Sequence, residues 1–272
     1  MSLHLTNLAD DQIPIDLAGL TPAGVAPLSL DEIRQLPVRR GNREAKLGDF
    51  FRVDGNPADE EWLLAGDCRN VHGLGTNLAS GSIVVDGPAG RRVGFAMRGG
   101  RIVVQGDAGD WLGAEMRGGT IRVHGDASSH VGAATPGAKR GMAGGTILID
   151  GDAGDEVGAQ MRRGLIAVAG SVGANLGFRM LAGTILVFGH AGAGVGMAMR
   201  RGTIGVFGSP RPTLLPTFKS GYYGPLPMLR MLEAQLASES FAPEKLSRLA
   251  AAVELFHGDT LQLSRGEVLL AK

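Results

Sequence analysis

A glycine that closes an apolar stretch recurs at Gly66, Gly87, Gly106, Gly125, Gly151, Gly170, Gly189 and Gly208, with gaps of 21, 19, 19, 26, 19, 19 and 19 residues. Few features constrain a chain more. A period of about 20 residues marks stacked coils, because one such unit cannot bury its own apolar side chains and must lay them on the next. A second glycine sits seven residues on, at Gly73, Gly94, Gly113, Gly132, Gly158, Gly177 and Gly196. Then comes methionine, at Met97, Met116, Met161, Met180 and Met199, with Met142 in that role after an insertion and Leu78 in the first coil. A third glycine follows, and two residues later isoleucine, at Ile83, Ile102, Ile121, Ile147, Ile166, Ile185 and Ile204. Val or Ile stands two beyond that.

Ile-x-Val before a glycine alternates with period two, so each coil predicts a short strand whose β-branched pair points inward. Stacking at about 4.8 Å then sets each Ile on the next Ile and each Met on the next Met. The expected fold is mainly β, a single-stranded β-helix of about seven 19-residue coils spanning 61–208. Glycine at the corners supplies positive φ and room for a neighbouring backbone.

A stack has two raw ends, so caps are expected. Residues 1–60 are read as an N-terminal capping segment in which SLDEIRQL forms a short helix capped by Ser29. Residues 209–272 read as a Pro-rich crossing segment, two helices (PMLRMLEAQLA and PEKLSRLAAAVELF) and a terminal strand. The second helix would begin at Pro243 and carry Leu246, Leu249, Ala250, Val253 and Phe256 on one stripe. If Ile102 and Val104 point inward, then Val84, Val103, Leu148 and Leu186 point outward, with Phe188 and Phe207 in the same column system. Such a face is too apolar to stay bare, so these six are interface candidates, covered partly by the C-terminal helices and partly by another protein chain.

Chemistry is harder to find, since a repeat offers the same residue at every level while a catalytic site needs different ones to converge. No catalytic and no metal-ligating residue is assigned. The stretch GHAGAGVGMA from Gly189 lacks the spacing of a dinucleotide fingerprint. Asp107, Asp126 and Asp152 are read as turn caps rather than a calcium roll, which needs a nine-residue period. The six His are scattered, and the single Cys68 excludes an internal disulfide. Basic and acidic residues balance at 27 each, which argues against nucleic acid and anionic membranes as partners. The N-terminus lacks a signal-peptide pattern and no apolar run approaches a membrane span, so a cytoplasmic location is expected.

One column stands apart. Arg98, Arg117, Arg162 and Arg200 each follow the inward Met, with Arg163 and Arg201 beside them, and should form an outward ladder. Like charges about 4.8 Å apart repel by roughly 1 kcal/mol even in water, so something should offset them. Acidic loops within the chain are one account; a carboxylate-rich partner or ligand along the ladder is the other.

The phrase EIRQLPVRRGNREAKLGDFFRVDG, residues 32 to 55, followed by GxxMxxGxIxVxG repeats, resembles the C subunit of formylmethanofuran dehydrogenase. The repeat alone is also similar to the C-terminal domain of the glutamate synthase large subunit. With 22 Arg among the 27 basic residues, the chain is most like the bacterial branch of the family, the C subunit of the formyltransferase/hydrolase complex of methylotroph formaldehyde oxidation. The resemblance implies a right-handed coil and a non-catalytic scaffold. The complex it implies moves a formyl group from formyl-tetrahydromethanopterin to a methanofuran-type carrier and hydrolyses it to formate. Implied partners are an amidohydrolase-like A subunit holding a metal, a formyltransferase D subunit, and a B subunit. Carriers of this type bear glutamate chains, which makes Arg98, Arg117, Arg162 and Arg200 candidate contacts. An archaeal-type formylmethanofuran dehydrogenase, or a free-standing binding solenoid or glutamate-synthase-like domain, remain as alternatives.

Overall fold

The computed structural model describes residues 2–271. The chain opens with β1 (Leu3–Asn7), β2 (Ile15–Asp16), short helices α1 (Pro22–Val25) and α2 (Leu30–Arg34), then β3 (Pro37–Arg40), β4 (Arg43–Lys46) and β5 (Phe51–Gly55). Ser29 caps α2 in a reciprocal box: its amide donates to the Glu32 carboxylate at 2.8 Å, and the Glu32 amide donates back to the Ser29 hydroxyl at 3.3 Å. The coils follow as β6 (Glu61–Ala65), β7 (Val71–His72), β8 (Ser82–Asp86), β9 (Arg101–Val104), β10 (Thr120–Val123), β11 (Ala143–Ile149), β12 (Arg163–Val168), β13 (Thr184–Val187) and β14 (Arg201–Val206). The chain ends with β15 (Lys219–Gly224), α3 (Pro227–Ser238), β16 (Val253–Gly258) and β17 (Arg265–Ala271).

The molecule is mainly β, and its repeats stack in register. From β8 to β14 every neighbouring pair is parallel, with Ile83, Ile102, Ile121, Ile147, Ile166, Ile185 and Ile204 in one column. These isoleucines, together with Met97, Met116, Met142, Met161, Met180 and Met199, are all 0% exposed. A further column that the sequence reading passed over, Leu74, Val93, Leu112, Val131, Val157, Leu176 and Val195, is buried in the same core. A second face is held by single-residue parallel bridges through Cys68, Ala89, Ala108, Ala127, Ala153, Val172 and Ala191.

The glycines seven residues past the corner have a steric reason. A Cβ on Gly94, Gly113 or Gly158 would stand 2.4 Å from the Cδ1 of the next coil's isoleucine, and on Gly177 2.5 Å. On Gly196, in the last of these coils, it would meet the Met199 sulfur at 2.8 Å and the Phe218 ring at 2.9 Å. In the first coil this place belongs to Gly75, whose Cβ would meet Ile102, and not to Gly73, because that coil is two residues longer before the corner.

Both ends of the stack are closed by strands. β1 pairs in parallel with β6 and antiparallel with β5, while β2, β3, β4 and β7 make a separate four-stranded sheet. At the far end β17 continues the parallel run beyond β14, and β16 and β15 add antiparallel strands. This corrects the expected second C-terminal helix. Residues 246–250 form one 3₁₀ turn, and Val253–Gly258 is β16. Leu246, Leu249 and Val253 are buried as the stripe requires, but the open edge of β17 offers Val-Glu-Leu-Phe a ladder, and pairing overrides a helical spacing.

The outward face divides in two. Leu148, Leu186, Phe188 and Phe207 are 0–4% exposed beneath Leu229 and Leu236 of α3, Phe241 and Leu249. Val84 and Val103, in the earliest coils, are only half-buried. Arg122 stands at the border, its guanidinium paired with both carboxylate oxygens of Asp150 at 2.6 and 3.0 Å and lying 4.9 Å from the Phe241 ring centre.

Candidate functional site

The residue after each buried Met leaves the core and turns outward. Arg98, Arg117, Arg162 and Arg200 are exposed there, as are Arg163 and Arg201 beside them. Inter-coil hydrogen bonds fix the order of the column: the amides of Arg117, Ala143, Arg162, Leu181 and Arg200 donate in turn to the carbonyls of Met97, Met116, Met142, Met161 and Met180. Only Arg98 and Arg117 therefore occupy adjacent levels. Ala143 and Leu181 separate the others by two coil rises, about 10 Å, which is close to a Debye length in physiological salt. The repulsion read from the sequence is confined to one pair. None of the four arginines makes a side-chain hydrogen bond or ion pair with a described residue, so internal acidic loops do not neutralise them.

The 26-residue coil explains where charge gathers. Its extra residues, 135–141, lift Lys139 and Arg140 out beside the column, and the Thr135 hydroxyl ties the loop to Glu115 of the preceding coil. A cavity of about 560 Å³ is lined by Glu115, Arg117, Lys139 and Arg140. A second, of about 250 Å³, is lined by Gln160, Arg179, Arg200 and again Lys139. Arg117 and Arg200 are thus brought to one insertion-walled basic surface, whereas Arg98 and Arg162 line neither cavity. Sequence reading followed one phase of the repeat and missed Lys139, Arg140 and Arg179. The lysine–arginine pair inside the segment that breaks the period was the signal that could have found them. Chemically, several cations against one carboxylate leave this surface net positive, with guanidinium forks of the geometry that pairs with carboxylates and phosphates.

Other residues singled out from the sequence resolve as structure. The Asp107, Asp126 and Asp152 carboxylates each accept the backbone N–H of the next level, from Asp126, Asp152 and Ser171, at 2.6–2.8 Å. They cap between coils rather than within one turn. Burial first, and Asp67 second, push the Cys68 thiol up to about 12, so it is an inert member of the small-residue column. Among the described residues, no group of three or more His, Cys, Asp or Glu is placed to hold a metal ion.

No family model matches the chain. The C subunit of tungsten-containing formylmethanofuran dehydrogenase 2 from Methanothermobacter thermautotrophicus is 40% identical over 94 residues, 33% of this chain and 35% of that protein. The C subunit of molybdenum-containing formylmethanofuran dehydrogenase 1 from the same organism is 40% identical over 95 residues, 35% of this chain and 24% of that one. The match thus spans about a third or less of the length of these curated relatives. A solved structure reaches further. A chain of the formyltransferase/hydrolase complex from Methylorubrum extorquens, solved in complex with methylofuran, superposes with a TM-score of 0.89 at 36% identity, covering 99% of both chains. The chain belongs to the family of formylmethanofuran dehydrogenase C subunits. Its match over nearly the whole length is to a chain of a formyltransferase/hydrolase complex, and these relatives are subunits of enzyme complexes.

Proposed function

We propose that this chain is the non-catalytic scaffold subunit of a cytoplasmic formyltransferase/hydrolase complex. The complex would transfer a formyl group from formyl-tetrahydromethanopterin to a methanofuran-type carrier and hydrolyse it to formate, with the metal and both active sites in other subunits. The observation that carries this reading is the 36% identity over 99% of both chains to a member of such a complex. Columns of identical side chains support the scaffold role, since they give stiffness and long flat faces rather than converging chemistry. We read the stack, 61–208, as a single-stranded right-handed β-helix between the end segments 1–60 and 209–272. Val84 and Val103, the uncovered part of the apolar face, are the residues we assign to a partner protein.

Affinity purification of the tagged chain from its native host tests the proposal. Co-elution with amidohydrolase-like and formyltransferase subunits, and no turnover by the chain alone, is the expected result. Elution of the chain by itself, or turnover in isolation, would overturn it. Partners carrying a molybdopterin and iron–sulfur clusters would instead favour an archaeal-type dehydrogenase, the reading that the 40% identity over 94 residues supports over a shorter reach.

Arg98, Arg117, Arg162 and Arg200, with Lys139 and Arg140, are proposed to hold the glutamate chain of the carrier. Exposed ion pairs contribute about 0.2–1 kcal/mol each, so replacing the four arginines by Ala should raise KM for the carrier roughly tenfold and leave kcat unchanged. An unchanged KM removes the contact.

A further inference from the structure

A third cleft, of about 580 Å³, lies at a different corner of the coils, between the N-terminal strands and the first three levels of the stack. Its cationic side comes from Arg39 on β3 and from Arg91 and Arg92; its apolar wall is Phe95 and Trp111. The charges do not cancel. Arg91 faces Asp110 at 3.3 Å, and an Asp16 carboxylate oxygen accepts the Ala18 amide at 2.8 Å. Arg39 and Arg92 are exposed and form no ion pair with a described residue, Arg92 resting its guanidinium 6.0 Å from the Phe95 ring centre. His72 at the back accepts the Arg91 amide on Nδ1 at 3.0 Å, which leaves a neutral His72 with its Nε2–H free to donate.

The backbone here is held at a cost. Arg92 and Trp111 have φ of 61° and 66°, and His130, Glu156 and Asn175, at the same corner on the following levels, have 67°, 59° and 61°, so this corner is left-handed along the stack. The first and last coils solve this corner with glycine, Gly73 and Gly194. A bulky non-glycine residue in this region is held against its own backbone preference. Trp111 is further braced, its ring stacked on His130 at 4.2 Å and 10° between planes.

We propose that this cleft is a docking site for a partner protein of the complex, whose segment places a carboxylate between Arg39 and Arg92 and an apolar or aromatic side chain on Phe95 and Trp111. Charge complementarity fixes the carboxylate; the lining runs over three levels of the stack, from His72 through Arg92 to Trp111, which fits an extended segment rather than a compact small molecule. The inference rests on the reading of this chain as one member of a multi-protein complex.

The experiment compares wild type with an Arg39→Ala/Arg92→Gly double variant, each purified with the partner proteins at rising salt. The variant relaxes the corner, so its melting temperature in isolation should not fall. Its complex should lose at least one partner at a salt concentration that the wild-type complex survives, with affinity for that partner at least about tenfold weaker. A photo-crosslinker at the exposed cleft residue Ala18 should capture a partner peptide containing Asp or Glu. If wild type assembles and the double variant holds its partners equally well, or the crosslinked peptide carries no carboxylate, the docking site is refuted while the complex stands. If wild type elutes alone, the functional proposal itself fails.

Discussion

Gly113 shows what a single residue contributes to this fold. Its φ is +58°, and a Cβ there would lie 2.4 Å from the Ile147 Cδ1, so alanine is penalised by both backbone and packing. Gly137, on the insertion, has φ +88° but nothing within 4 Å, so alanine there pays only in conformation. Urea unfolding should find Gly113→Ala destabilised by about 2–4 kcal/mol and Gly137→Ala by about 1 kcal/mol. Equal losses at the two sites would show that packing against the next isoleucine does not matter. His72 is the titrating counterpart. Burial, then the charges of Arg91 and Arg92, hold it below its ordinary value, against Asp16 and the Val71 backbone, which raise it. Below about pH 6.5 the unfolded chain takes up a proton that folded His72 refuses, so this contribution is present above that pH and is lost as pH falls towards the lower folded value. Wild type should therefore lose more melting temperature than His72→Gln between about pH 7.5 and 5.5. Parallel curves would contradict this.

At the scale of elements, the decisive join is between the outer face and α3 with its following turn. Arg122 is 7% exposed, paired with Asp150, stacked on Phe241 and donating to the Glu239 carbonyl at 3.4 Å. Arg101 adds an ion pair to the Glu239 carboxylate at 3.2 Å. Removing one partner of a largely buried pair strands the other charge, so Arg122→Ala should cost about 2–3 kcal/mol, discounted for the partly exposed Asp150. The loss should appear first as faster amide exchange in Pro227–Ser238, with the coil strands still protected. Uniform loss of protection would mean that the C-terminal segment is not a separate cooperative unit.

For the whole molecule, the ends matter more than the middle. Any inner level has a neighbour above and below, whereas β14 without β17 would present a bare parallel edge, and Phe188, Phe207, Leu148 and Leu186 would lose their cover. A chain cut after Gly208 should therefore aggregate on purification, visible by light scattering, even with every inner coil intact. A monodisperse truncated chain would show that the caps are dispensable.

The columns of Met and of the Ile-x-Val pairs were legible in the linear chain, because a fixed period turns residue identity into spatial adjacency without any long-range information; the glycine column was legible except in the longer first coil, where Gly75 and not Gly73 holds the place, and the Leu74–Val195 column was not. The Ser29 cap was legible for a similar reason, its partner lying three residues away. Residues 246–256 were not. Their apolar spacing satisfies a helix, and only the free edge of β17, an element later in the chain, makes Val253–Gly258 a strand. The arginine column was half legible: its phase gives exposure, but the levels at which Ala143 and Leu181 interrupt it emerge only once the coils are stacked. Likewise Lys139 and Arg140 share a cavity with Arg117, Lys139 a second with Arg200, and Arg39 a cleft with Arg92, each between segments with no common period. Period fixes what lies directly above and below; what lies alongside is decided by packing between unlike pieces of chain.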